Sequence, residues 1–510
     1  MSLATWLAPM ADPTGRVDPL APCLVGWAQH TWPKSHDVDA PEPLDMWESV
    51  VRQASADAHS SRDVLPTIES AQIVYTQTWQ YDDPVGRLSE RLGIAPKHRV
   101  YSGVGGTTPQ VLVQEAGAAI MRGELEVAVV ATAEALDTRK KIRARGERPQ
   151  WSFKDPIKKP FPFEAPFLPA EVAHDVVQAW LTFAMFDNAR RAHLGIGLDY
   201  HRADLAELWH GFSQIAARQP HAWFPIERSA AEILAVTPTN RMVGYPYSKY
   251  MVSVMDVDMA AAVILTSHAK ADALGIPTDQ RVYLRGWCNA TDPQAVASHR
   301  DMWRSPAMEA ASGEAMTRAG VALDDIAHLD LYSCFASSVD FARDALGLGE
   351  SDQRALTVTG GLPCFGGAGS GYMAHSIATM ADVLRAEPGS IGMVSGVGMH
   401  MTKHGYGIYS TTPGPVSPPD GEGVQRGLDA AGHPVVVDAY AGPATVVAYS
   451  VAHDREGPDF GVVVVDLPEP DNRAYAKITD ADLMLDAECN ELVGRKVILT
   501  TDERSNVASW

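Results

Sequence analysis

The sequence predicts an α/β fold of two related halves, followed by a small antiparallel β-barrel at the C-terminus. Three observations predict it. The first is a repeated unit: Gly103-Val104-Gly105-Gly106, an apolar helix, Arg122-Gly123-Glu124 and the strand-like Val127-Ala128-Val129-Val130. It recurs 263 residues later as Gly366-Gly367-Ala368-Gly369, an apolar helix, Arg385-Ala386-Glu387 and Ile391-Gly392-Met393-Val394. Gly106 to Arg122 spans 16 residues, and so does Gly369 to Arg385. A matched spacing of turn, helix and strand is the mark of internal duplication. The second is the abrupt Pro-rich stretch Thr411-Thr412-Pro413-Gly414-Pro415-Val416-Ser417-Pro418-Pro419, which reads as a linker. The third is the series of short strand-like runs beyond it, separated by close turns, as in a small barrel.

The elements follow in order. Residues 23–29 read as a first strand. Residues 43–58 carry helical spacing at Met46, Trp47, Val50, Val51 and Ala54, with Pro43 suited to the first turn. A short buried-type strand over 71–75 and a helix over 84–92 come next. In the repeated unit, 99–102 is strand-like, Thr108 is the expected N-cap, Pro109 the first helical residue, 111–121 the helix body and Gly123 its stop. Residues 126–133 form a continuous apolar strand of the fully buried kind. Residues 138–250 break the rhythm and read as an insertion crossing the top of the fold. A buried strand over 257–267 returns to it. Residues 282–287 open the second half, followed by a helix over 305–318, a strand over 326–332, a helix over 337–346 and the second Gly-rich unit. Barrel strands are expected at 434–440, 445–453, 461–467, 474–478 and 495–501.

At 510 residues the chain exceeds one ordinary core. Its net charge of −21 argues against general nucleic-acid binding. No apolar run is long enough to span a membrane, and residues 1–6 lack the basic-then-apolar pattern of a secretory leader, so a cytoplasmic location is expected. The five cysteines, at 23, 288, 334, 364 and 489, are odd in number and widely spaced, and read as reduced thiols without a zinc pairing. Gly103-x-Gly105-Gly106 continues with Thr108 where a nicotinamide-binding loop needs glycine. His400 and His404 have the spacing of metal ligands on a helix, but they fall in strand or loop, so no metal is expected. On so acidic a chain, nine basic residues between Arg139 and Lys159, with Trp151 and Phe153 among them, mark either a phosphate-binding stretch or a solvated arm.

Four segments resemble the thiolase superfamily, in particular the sterol-carrier-protein type and the mycobacterial-style thiolase-like proteins of type 1 with an extra C-terminal domain. They are Ala118 to Ala135, Met255 to Ala262, Tyr332-Ser333-Cys334-Phe335, and Gly360-Gly361-Leu362 followed by Gly366-Gly367-Ala368. The resemblance covers about residues 20–410. It implies two βαβαβαββ halves in five layers, acyl transfer between coenzyme A thioesters in lipid metabolism, and no resident cofactor. It also implies domains at 1–270 (with the insertion), 271–410 and 418–510.

The resemblance places the family's nucleophilic Cys at Gly105 and its activating His at Gly367. Tyr332 stands where His or Asn positions oxyanion-hole water, and Cys334 matches the acid/base thiol of the sterol-carrier type. His400 is the candidate replacement for the lost imidazole. Arg139, Lys140, Lys141, Arg143 and Trp151 stand in the stretch that contacts coenzyme A in the family. The expectation is an acyltransferase-family protein that binds a coenzyme A thioester, with thiolysis and Claisen condensation absent or very weak, since such groups act as a unit. The alternative is a non-catalytic scaffold that presents the C-terminal barrel to a protein partner.

Overall fold

The computed structural model describes residues 17–35, 38–157, 167–349, 351–415, 417–502 and 505–510. The expectations for residues 1–6, Lys158, Lys159 and Val416 lie outside them.

The first half begins with strand β1 (Pro22–Thr31) and helix α1 (Pro43–Asp57). Pro43 opens α1, whose inner stripe from Leu44 to Ala54 is buried. Strand β2 (Ser70–Ile73), helix α2 (Pro84–Leu92) and strand β3 (His98–Tyr101) follow. Asp83 caps α2 by accepting the Gly86 N–H at 2.9 Å, and Gly93 ends it at φ 69°. Helix α3 is Thr108–Met121 and strand β4 is Val127–Ala135, buried throughout. The cap of α3 differs from expectation: Thr108 is its first residue, Thr107 holds the cap position, and no side chain caps it.

The 138–250 insertion is more ordered than its composition suggests. It holds most of helix α4 (Leu136–Ala144), then α5 (Pro169–Ala173), α6 (Ala179–His193), α7 (Leu198–Ala216), α8 (Ala230–Leu234) and the hairpin β5 (Met242–Gly244) and β6 (Tyr247–Ser248). Strand β7 (Asp258–Ser267) then rejoins the sheet, and helix α9 (His268–Leu274) leads to the second half.

That half comprises β8 (Val282–Thr291), α10 (Pro306–Ala319), β9 (His328–Asp330), α11 (Ala336–Leu346), α12 (Tyr372–Ala386), β10 (Ile391–Gly398) and β11 (Lys403–Ser410). The strand expected over 326–332 is cut to three residues because the Leu331 N–H turns to the Leu356 carbonyl and the Tyr332 N–H to Ser395 Oγ.

Strand order in the large sheet is β3-β2-β4-β7-β1-β8-β11-β10-β9. Read outward from the centre, the first half runs β1, β7, β4, β2, β3 and the second runs β8, β11, β10, β9, so the two have one topology. In place of a third outer strand, residues 356–359 hang on the edge through Asp330, whose carboxylate accepts the Val358 and Thr359 N–H groups. The halves meet where β1 and β8 pair over only two residue pairs. Helices α3 and α12 each pack on strands of both halves, whereas α1 packs mainly on strands of the first and α10 on strands of the second. The result is the five-layer thiolase fold.

Leu24, Gly26 and Trp27 of β1 recur in β8 as Leu284, Gly286 and Trp287. Each strand carries its bulge one residue before the glycine. A Cβ on Gly26 would overlap the Ala54 carbonyl of α1, and one on Gly286 the Ala315 carbonyl of α10. These glycines let each outer helix lie directly on the central strand.

The C-terminal region adds α13 (Gly421–Asp429), β12 (Val435–Val436), β13 (Gly442–His453), β14 (Pro458–Asp466), β15 (Asn472–Ile478), α14 (Ala481–Cys489), β16 (Lys496–Thr501) and β17 (Asn506–Ser509). Strands β13-β14-β15-β17-β16 close on β13 as a five-stranded barrel. Closure is antiparallel except between β15 and β17, a parallel pair that the expected all-antiparallel barrel lacks. Helix α13 is hidden in the sequence by Gly421, Gly423 and Gly427.

The barrel is bonded into the insertion: β5 pairs with β13, and Asn188 Nδ2 donates to the Tyr449 carbonyl at 3.0 Å. Arg191 forms a bidentate pair with Glu491, and Tyr475 Oη donates to Glu171 at 3.0 Å. Gly26→Ala and Gly286→Ala are each expected to lower unfolding free energy by about 1–3 kcal/mol, because backbone must move to admit the methyl; urea titration of both variants checks this.

Candidate active site

Gly105 lies in the loop that enters α3, and its N–H donates to Ser370 Oγ of the second Gly-rich unit at 3.0 Å. The repeated turns are thus bonded to each other at the mouth of α3. A Cβ on Gly105 would meet only Thr108 Oγ1 at 3.4 Å and Thr107 Oγ1 at 3.9 Å, so the position has room for a side chain. Gly106 has none: a Cβ there would overlap the Tyr332 hydroxyl and the Val397 carbonyl. Tyr332 is buried, packs edge-on against Tyr372 at 5.5 Å, and burial holds its phenol well above the usual range.

At Gly367 the space is taken from the other side. A Cβ there would lie 2.6 Å from Ser253 Oγ and 3.2 Å from a Leu362 methyl. Ser253 is fixed by its N–H, which donates to the Cys334 carbonyl. Sequence reasoning missed Ser253 because it stands in the irregular stretch 249–257 with no motif around it. Cys334 is half-buried, its sulfur 3.6 Å from Ser338 Oγ. Burial pushes its thiol up to about 12, which keeps it protonated at neutral pH.

His400 sits in the turn between β10 and β11, flanked by Met399 and Met401 at φ 58° and 61°. The strand end before it abuts the α3 mouth, since a Cβ on Gly398 would lie 3.4 Å from the Gly106 nitrogen. The imidazole packs edge-on against Phe167 at 5.1 Å, and burial pulls it down to about 4, so it is neutral. His404 turns away to Asp292, at 3.0 Å. Among the described residues no group of three or more His, Cys, Asp or Glu could hold a metal.

The basic stretch divides. Arg139 donates to the Gln77 and Thr78 carbonyls, Lys140 pairs with Asp256, and Lys141 bonds the Ser35 carbonyl and Asp137. These three side chains are engaged within the protein. Arg143 and Trp151 instead line a surface cleft of 630 Å³ with Arg148, Lys154 and Trp79. The two indoles meet edge-on at 5.5 Å, and Lys154 lies over Trp79 at 5.4 Å. Trp79 had no sequence signal, because it reaches the cleft from a loop remote in the chain.

Residues 423–504 match the family described as thiolase-like protein type 1 additional C-terminal domain. A crystal structure of a monomeric SCP2-thiolase-like protein type 1 from Mycobacterium smegmatis superposes with a TM-score of 0.84. It is 30% identical, over 97% of this chain and all of that one. The chain belongs to this SCP2-thiolase-like type 1 family. A 3-ketoacyl-CoA thiolase of Pectobacterium atrosepticum is 34% identical over 152 residues, covering 27% of this chain. In that match the chain spans about a third of the curated relative's length. An Ltp2-ChsH2(DUF35) aldolase, at 16% identity and TM-score 0.59 over 77% of this chain and 98% of that one, shares the fold. No helix among the described residues is long and apolar enough to cross a membrane.

In iodoacetamide labelling at neutral pH read by peptide mass spectrometry, the exposed Cys489 should react well before Cys334. His299, His375 and His400 are held neutral at about 4, 3 and 4. Unfolding lets them protonate at the ordinary value of 6.5, so stability is full above 6.5 and is lost as pH falls towards 4. The slope reaches about 1.4 kcal/mol per pH unit for each group, seen as a falling urea midpoint.

Proposed function

We propose that the chain is a thiolase-like, acyltransferase-family protein that binds a coenzyme A thioester and has lost the ordinary thiolase reaction. The observation that carries this reading is a pair of glycines, Gly105 at the α3 mouth and Gly367 in the second Gly-rich turn. A thiol at Gly105 would gain the helix dipole and free N–H groups that lower a cysteine's pKa, and glycine offers nothing for them to activate. At Gly367 the loss goes further, because Ser253 fills the ground an imidazole would need. Cys334 remains as the one thiol carried over from the family pattern; protonated, it can donate a proton but is a poor nucleophile.

Support for the ligand comes from the cleft of Trp79, Trp151, Arg143, Arg148 and Lys154. Indole faces suit an adenine, and the cations beside them suit phosphates. The binding contribution moves from the five residues expected to Arg143 and Trp151, joined by Arg148, Lys154 and Trp79. A cytoplasmic location and a setting in lipid metabolism accompany this reading. The scaffold alternative draws on the additional domain and on the aldolase that shares the fold, whose name records a complex with a DUF35 partner.

Acetoacetyl-CoA cleavage should be absent or many orders of magnitude below thiolase rates in a thiol-release assay, and Gly105→Cys alone should fold without restoring it. Coenzyme A should bind in calorimetry at millimolar levels or tighter, and the Arg143→Gln, Trp151→Ala double variant should weaken it by about tenfold or more. Failure of the wild-type protein to bind coenzyme A would remove the ligand reading and favour the scaffold.

A further inference from the structure

The ground left open at Gly105 is bordered by hydrogen-bond donors that the protein itself does not use. Helix α3 starts there, and no side chain caps it. The Thr108 N–H donates to the Gly105 carbonyl and the Val111 N–H to the Thr107 carbonyl. The Gly106 and Thr107 N–H groups have no partner among the described residues.

Side chains add to this independently of the helix. Thr107 and Tyr332 are each 5% exposed, and neither hydroxyl has a hydrogen-bond partner among the described residues. Both stay within reach of a water-sized molecule, whereas the unpaired Tyr406 and Tyr449 hydroxyls are sealed in the interior.

The glycines locate the niche. A Cβ on Gly105 would face Thr108 Oγ1 at 3.4 Å and Thr107 Oγ1 at 3.9 Å, and no other described atom within 4 Å beyond its chain neighbours. On the far side, a Cβ on Gly398 of β10 would face the Gly106 nitrogen at 3.4 Å and the same Thr107 Oγ1 at 3.5 Å, beside the stem of Lys403 at 3.3 Å. Thr107 turns its methyl the other way, to within 3.7 Å of a Cβ on Gly405. The Tyr332 hydroxyl and the Val397 carbonyl close the side at Gly106. Glu134, behind Gly369, is already bonded by Thr76, Gln77 and Thr78.

Unpaired N–H groups at a helix start carry the positive end of the helix dipole, about half an elementary charge. Two such groups and two hydroxyls give four donors around one spot. An ionised carboxyl group is an acceptor only, with about four lone-pair sites on two oxygens. It matches these donors in number and the dipole in sign.

We propose that the niche at Gly105 binds a carboxylate, held by the Gly106 and Thr107 N–H groups and the Thr107 and Thr108 hydroxyls. It would stand where the family pattern has a thiol, one anion in place of another. The carboxylate belongs to a free short-chain acid or to the acyl end of a coenzyme A thioester, and only the second source rests on the coenzyme A reading.

Calorimetry on the full chain at neutral pH tests this with two matched pairs: butyrate against butyramide, and succinyl-CoA against butyryl-CoA. Within each pair the size is nearly constant and the carboxylate is the difference. Butyrate binding at millimolar levels, with butyramide about tenfold or more weaker, identifies the free acid as an occupant. Succinyl-CoA binding about tenfold or more tighter than butyryl-CoA identifies the tethered one. If neither thioester binds, the coenzyme A reading falls and the butyrate pair alone decides the niche. Gly105→Ala should abolish the preference, because the methyl takes the niche, and should hold the urea midpoint, because the methyl has room. Thr107→Val keeps the shape and removes one donor, and should lower the preference about fivefold or more. No preference for the charged member of either pair would overturn the proposal, as would a preference that Gly105→Ala or Thr107→Val leaves unchanged.

Discussion

The fold depends on one close approach made twice. At Gly26 and Gly286 a helix backbone sits against the central strand of its half, with the strand bulge one residue earlier in both places. The same strands hold the inner helices by an amide: Gln29 Nε2 donates to Thr379 of α12 and Asn289 Nδ2 to Gln114 of α3. Each amide reaches into the opposite half's helix. Because α3 and α12 enter from the two Gly-rich turns, this cross-linking also fixes the turns face to face, and the Gly105–Ser370 bond is where they meet. The site is therefore a product of the interface between halves rather than of either half alone.

Chemistry at that interface is set by what fills space. One glycine leaves ground open, another is closed off by Ser253, and the Tyr332 ring covers Gly106. Burial then works on each remaining titratable group in the same direction, toward neutrality: Cys334 stays a thiol, Tyr332 a phenol and His400 an uncharged imidazole. The centre thus holds hydrogen-bonding groups without a standing charge among these three.

Much of the fold was legible because its signals are local. The helix over 84–92 was bounded by Asp83 and Gly93, and the one over 305–318 by Ser305 and Gly320, each a cap readable from a few residues. The duplicated turns were visible through spacing. What escaped were features made by distant pieces. The β5–β6 hairpin reads as Pro- and aromatic-rich loop until it is seen pairing with β13. The deeper repeat, Leu-x-Gly-Trp in both first strands, was in plain sight, but its meaning needs the helix that lies on it. At the site, Gly105, Tyr332 and Cys334 could be named from motif order. Ser253 and Trp79 could not, since nothing in their own neighbourhood points to a partner. Arg139, Lys140 and Lys141 looked like ligand-facing cations; Arg139 and Lys141 bond backbone carbonyls of the protein and Lys140 is an exposed partner of Asp256, contacts that only the positions of Gln77, Ser35 and Asp256 reveal.

The seam between barrel and body has a consequence for how the protein can be divided. Glu171 is buried against Tyr475 and Val296, His174 accepts the Asn506 N–H, and Arg473 donates to carbonyls at 297, 299 and 300. Removing the last hundred or so residues would strand a carboxylate and an imidazole at a newly wetted face and bare the apolar flank of α6. The additional domain is thus a keystone of the present molecule, and a truncated chain would be a poor stand-in for the thiolase-fold body alone.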